Sequence, residues 1–210
     1  MSPWMFLDWL AAGIIIGSMI YITFILTVPE WLSDLRKGEA ISLLPEQKGR
    51  TWPLWAQLLV LLAGLFISIP LFVYLWTPLV VLPELTTRLL DILGLIIYVI
   101  GFSITLWARA SLGKNWGIST SYSVKLRSDH ELIEAGPYAF IRHPMYFGVL
   151  SFGLGVILLY PTCVILILFI SVLAALPMRA IREETALSER FGAKWSEYKK
   201  RTKFIIPFLI

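Results

Sequence analysis

Residues 144–178 read PMYFGVLSFGLGVILLYPTCVILILFISVLAALPM, thirty-five positions from Pro144 to Met178 without a charge. As one straight helix they would run about 52 Å at 1.5 Å per residue, far more than the ~30 Å of a bilayer's hydrocarbon core. The segment must therefore turn, and Tyr160-Pro161 at its midpoint is the natural corner. Two apolar halves joined there form a helical hairpin. Gly148, Gly153 and Gly155 are expected to let those halves pack closely.

Three further apolar blocks lie upstream. Trp9 to Val28 is long enough for one crossing, with no basic residue before it to suggest a secretory leader. Leu54 to about Trp76 is a second crossing, with a kink expected at Pro70. Ile92 to Ala108 is a third. The reading is an all-α integral membrane protein of about five transmembrane helices, two of them in the C-terminal hairpin. Composition agrees: 58% of the 210 residues are hydrophobic and 15% charged, an apolar excess that a soluble domain cannot hide. Soluble nucleic-acid binders, disordered chains and disulfide scaffolds are excluded, and Cys163 has no partner for an internal disulfide.

Lys and Arg number four between Pro29 and Pro53, one between Thr77 and Asp91, five between Arg109 and His143, and eight after Met178. With five crossings the positive-inside rule puts the N-terminus outside and the three basic segments in the cytosol. Residues 1–87 then hold the first two helices. Residues 88–210 hold the third, the hairpin and nearly all the polar chemistry, in segments 109–143 and 179–203.

In the first of these segments, Pro144 suits the first turn of a helix, where its missing N–H costs nothing. Arg142 and His143 would then sit at that helix's positive end, a place for an anionic ligand group. A topology anchor and an interface residue explain them equally well. Arg179 and Glu183, four apart, share one helix face just past the last apolar turn; a solvated surface pair is the plain alternative. Glu184 points elsewhere and reads as solvated. Leu187, Phe191, Trp195 and Tyr198 form a packing or membrane-contact stripe. Lys199, Lys200 and Arg201 suit attraction to anionic lipid heads. Two histidines and one cysteine within a membrane span make no metal site, and no phosphate-binding loop or nucleophilic triad is present.

HELIEAGPYAFIRHPMYFG, from His130 to Gly148, resembles the signature of the isoprenylcysteine carboxyl methyltransferase family, which sits with the membrane phospholipid methyltransferases. RAIREETALSERFGAKWSEYKKRT from Arg179, followed by Pro207, is similar to that family's C-terminal half-motif. Ser111–Trp116 resembles its Leu-Gly-x-Asn-Trp element. The likeness covers about residues 88–207. It implies a methyl transfer from S-adenosylmethionine in a cytosolic cofactor pocket, to a carboxylate or other nucleophile on a lipophilic small molecule or prenylated acceptor. By motif, His130, Glu131, Leu132 and Ile133 would line the cofactor, and Tyr138, His143, Pro144, Met145 and Tyr146 would complete its pocket. Glu183 would hold the cofactor's amino group. Arg179 would hold the acceptor, near Asn115 and Trp116, and Arg179 and Glu183 are the expected catalytic pair. Val124 or Lys125 is a further expected contact.

The residue types suit that chemistry. Displacement at a sulfonium methyl depends mostly on in-line positioning. A carboxylate nucleophile is already ionised and needs a cation such as Arg179 rather than a base. Aromatic faces at Tyr138, Tyr146 and Trp116 would attract a sulfonium. Alternatives are a phospholipid-amine or thiol methyltransferase of the same family, a sterol-reductase-like oxidoreductase with a loosely similar Arg-His-x-x-Tyr motif, and a non-enzymatic membrane protein. The last would place polar groups at mid-span, which the crossings here almost lack.

Overall fold

The computed structural model describes residues 3–29, 32, 53–115 and 131–206. Trp116, Val124, Lys125, His130 and the basic residues of the 33–52 loop lie outside the described residues. The chain forms two compact units, Met1–Ile67 with Ile118–Thr120, and Ser68–Gly117 with Ser121–Ile210.

In the first unit, α1 (Pro3–Ile20) continues through a wider, i→i+5 bonded stretch, Tyr21–Thr27. Helix α2 (Leu54–Leu75) begins in this unit and ends in the second, and it stays helical through Pro70. The second unit adds α3 (Glu84–Leu112), α4 (Pro144–Leu159), α5 (Cys163–Phe191) and α6 (Ala193–Arg201). A helix thus stands at every apolar block. Among the described residues three are long and apolar enough to cross a membrane: Trp4–Thr27, Glu84–Leu112 and Cys163–Phe191. The 16 residues of α4 reach only about 24 Å at 1.5 Å each.

The expected corner is present. Helix α4 ends at Tyr160, and Thr162 caps α5 by accepting from the Ile165 amide. The segment before α3 crosses this corner, with Leu79 N–H donating to the Pro161 carbonyl at 2.7 Å and Cys163 N–H to that of Thr77 at 3.2 Å. The glycine expectation needs correction. Only Gly153 faces the other arm of the hairpin, against the Phe169 ring. Gly148 and Gly155 face α3 instead.

That contact explains why α4 sits where it does. The buried residues of α3 are Asp91, Gly94, Tyr98, Gly101, Thr105 and Ala108, alternately three and four apart, so they form one stripe. A Cβ on Gly155 would lie 2.6 Å from the Gly94 carbonyl oxygen, and one on Gly148 would lie 2.7 Å from that of Gly101. Two glycine pairs, each spaced by seven, thus bring the antiparallel backbones into contact. Tyr98, fully buried, fills the space between the pairs against Phe152 at 5.7 Å. The opposite side of α3, with Leu89, Ile92, Ile96, Val99 and Ile100, is exposed and apolar, as a lipid-facing surface must be.

Past Met178, α5 continues as a charged helix to Phe191, and Gly192 at φ 51° makes the sharp turn into α6. The last described residues then run beside the stretch that precedes α4. Ile141 and Lys203 form a parallel bridge, with Arg142 N–H donating to the Lys203 carbonyl and His143 N–H to that of Phe204.

Candidate active site

The start of α4, the charged half of α5, and α6 with its tail meet at one end of the second unit. Pro144 at the first helical position is fully buried, and His143 is the cap residue, 6% exposed. One turn on, Tyr146 stacks on the His143 ring, centroids 5.4 Å apart and planes within 4°. Phe204 from the tail meets the same imidazole edge-on at 5.2 Å.

Arg179 and Glu183 face this pair from α5. The Tyr146 hydroxyl donates to Glu183 Oε1 at 2.6 Å and accepts from Arg179 Nε at 2.9 Å. Arg179 Nε also donates to that carboxylate oxygen at 3.1 Å. Glu183 Oε2 lies 3.7 Å from His143 Nδ1. The expected helix-face pair therefore exists, but as part of a half-buried triangle closed by a tyrosine from another helix.

Glu184 corrects its reading as a solvated group. It is buried, and its Oε1 accepts from Arg142 Nε at 2.6 Å. Its Oε2 pairs with Lys199 Nζ at 2.9 Å. His143 Nε2 is 3.5 Å from Oε1 but misaligned for a hydrogen bond; among the described residues this buried nitrogen has no hydrogen-bond partner. Arg142 also reaches the tail, donating from Nη1 to the Thr202 carbonyl at 2.5 Å and to that of Lys199 at 3.4 Å. Residue 142 is 42 positions from 184 and 57 from 199, so local spacing cannot disclose this cluster. The lipid-head reading of residues 199–201 shrinks accordingly, since Lys199 pairs with Glu184 and Arg201 with Glu134.

The remaining candidates lie nearby. Glu131, Leu132 and Ile133 form non-helical chain, and the Glu131 amide donates to Asn115 Oδ1 at 2.9 Å. Asn115, an expected acceptor contact, is buried and ties this segment to the end of α3. Met145 is half-buried beside His143. Tyr138 is buried in the short 3-10 turn Gly136–Ala139, whose backbone carbonyl at Tyr138 accepts from the Tyr198 hydroxyl at 2.8 Å. Burial pushes the Tyr138 and Tyr198 phenols above their ordinary range; nearby Tyr198 and Glu183 raise the first further, while Arg142 partly offsets the rise in the second.

Fold and site together define an all-helical integral membrane protein whose second unit gathers most of its described ionisable groups at one end. The chain belongs to the phospholipid methyltransferase family, whose model matches residues 89–194, just over half of its length. It is similar to protein-S-isoprenylcysteine O-methyltransferases. It is 35% identical to that of Saccharomyces cerevisiae over 129 residues, covering 60% of this chain and 52% of the yeast protein. It is 32% identical to that of Homo sapiens over 123 residues, covering 57% of this chain and 42% of the human protein. The chain thus spans about half the length of the curated relatives it matches. A solved structure titled as the eukaryotic intramembrane Ras methyltransferase (isoprenylcysteine carboxyl methyltransferase) covers 75% of this chain and 54% of its own, with 21% identity and a TM-score of 0.49.

Proposed function

We propose that the chain is a membrane S-adenosylmethionine-dependent methyltransferase that acts at the cytosolic face on a carboxylate of a lipophilic acceptor, an S-isoprenylcysteine being the acceptor its relatives' names suggest. The observation that carries this reading is the Tyr146 hydroxyl held between Arg179 and Glu183, beside the buried His143. S-adenosylmethionine, when bound, supplies an electrophilic methyl on a sulfonium.

The donor set fits such a group. Glu183 offers a carboxylate for an ammonium, and its Oε2 is turned away from the Arg179 and Tyr146 bonds. His143 Nε2 is a buried polar atom still wanting a partner, and the stacked His143–Tyr146 pair is an aromatic surface that attracts a sulfonium. His130, Glu131, Leu132, Ile133, Tyr138, Pro144 and Met145 line the same pocket in this reading.

Arg179 carries the fixed charge that orients an acceptor carboxylate, which needs no base because it is ionised at neutral pH. Tyr146 fixes the guanidinium and the Glu183 carboxylate relative to each other, so the two ligands are held at a set separation. Asn115 acts indirectly here, by holding residue 131, and Trp116 keeps its proposed place beside the acceptor.

Calorimetric titration of the detergent-solubilised full chain with S-adenosylmethionine, S-adenosylhomocysteine and NADPH tests the donor. Binding of the two adenosyl compounds alone is expected; binding of NADPH alone would favour the reductase alternative and overturn the reading. Transfer of labelled methyl to a small S-isoprenylcysteine, and not to a phospholipid amine or a thiol, is the expected acceptor result.

A further inference from the structure

Residues 195–204 lie beyond the stretch that the family model matches, yet they close the site from behind. Glu184 receives Arg142 on one carboxylate oxygen and Lys199 on the other. Arg142 in turn caps the end of α6 through the Lys199 and Thr202 carbonyls, where a helix terminus favours a cation. Its own amide and that of His143 bond to the tail at Lys203 and Phe204. The Phe204 ring sits 5.2 Å from His143 and 5.7 Å from the Arg142 guanidinium.

A buried ion cluster is costly unless every partner is in place, because desolvation of each charge opposes their mutual attraction. Here the side chains of both Arg142 and Glu184 are largely buried, at 9% and 11% exposure. Beside this cluster the His143 ring is held between Tyr146 and Phe204. Lys199 is 53% exposed and contributes through its charge on Glu184 more than through packing.

We infer that Glu184 and Lys199 are positioning residues, fastening α6 and residues 202–205 to the Arg142–Tyr146 turn so that donor binding depends on the C-terminal segment. This rests on the methyltransferase reading for its ligand and on geometry alone for the latch. Neither residue touches the reacting atoms; they act through Arg142 and His143.

The test uses Lys199→Met, Lys199→Arg and Glu184→Gln in the full chain. Lys199→Met should weaken S-adenosylhomocysteine by about two- to fivefold, as loss of a pair half-open to solvent does. The KM for the S-isoprenylcysteine acceptor should not change, and Lys199→Arg should restore donor affinity. Glu184→Gln should weaken the donor more; where it does not fold, the Lys199 pair decides. In hydrogen exchange without ligand, the Arg142 and His143 amides should lose protection in Lys199→Met and regain it in Lys199→Arg. Wild-type donor affinity in Lys199→Met, equal losses for donor and acceptor, or no rescue by arginine would overturn the inference. A wild-type chain that binds no adenosyl ligand overturns the proposed function instead, and exchange still judges the latch: unchanged protection in Lys199→Met refutes it.

Discussion

The Tyr146 hydroxyl couples two groups assigned to different ligands, and substitutions should reveal that coupling. Arg179→Ala should leave donor affinity nearly intact and depress turnover, because in the proposed function the guanidinium faces the acceptor. Glu183→Gln should weaken the donor by about tenfold, since it removes a charge that faces an ammonium. Tyr146→Phe should lower both, because each partner loses its shared anchor. Equal, minor effects in calorimetry and methyl-transfer assays would leave only a helix-surface pair. Arg179 and Glu183 were legible because a spacing of four places them on one face. Arg142 and Glu184 were not, since their contact is made by the fold and not by sequence spacing. The adjacent acidic residues were the one available signal, and adjacency on a helix argued for opposite orientations. At this scale pH also acts: both buried phenols have raised pKa values in the folded chain. Their contribution is complete below the unfolded tyrosine value and declines as pH rises past about 10. Melting temperature should therefore fall progressively as pH rises above about 10, and Tyr198→Phe should flatten part of that slope.

Among the elements, the α3–α4 seam carries the most specific requirement. Gly101 and Gly148 meet backbone to backbone, so added volume cannot be absorbed by a side chain moving aside. Gly148→Leu should destabilise the second unit by about 1–3 kcal/mol, whereas Gly13→Leu, with open space at that position, should not. Thermal denaturation in detergent compares them, and equal melting points would contradict the seam. The corner at Tyr160-Pro161 was legible from length alone. The partner of the glycine face was not, because a row of small residues shows that something approaches without showing what. The matching interval was present, however: Gly94 and Gly101 are seven apart, as are Gly148 and Gly155.

Over the whole molecule, the proposed topology puts the clustered polar segments on the cytosolic side. Cysteines introduced by Glu134→Cys and Lys194→Cys, in a Cys163→Ser background, should react from one side of the membrane. Val81→Cys, beyond the opposite end of α3 and 92% exposed, should react from the other. Labelling of 134 and 194 from different sides would refute this arrangement. The tail that bonds to residues 142 and 143 adds a constraint of timing. Thr202 is made sixty residues after Arg142, a delay of about 3–12 s at ordinary synthesis rates. For that interval the newborn chain holds its turn before α4 without the carbonyls that cap its guanidinium. Insertion of the helices and completion of the site are therefore separate events in the life of the polypeptide. A ribosome that stops short of residue 199 releases a chain with its membrane helices but without the groups that hold Arg142 and Glu184.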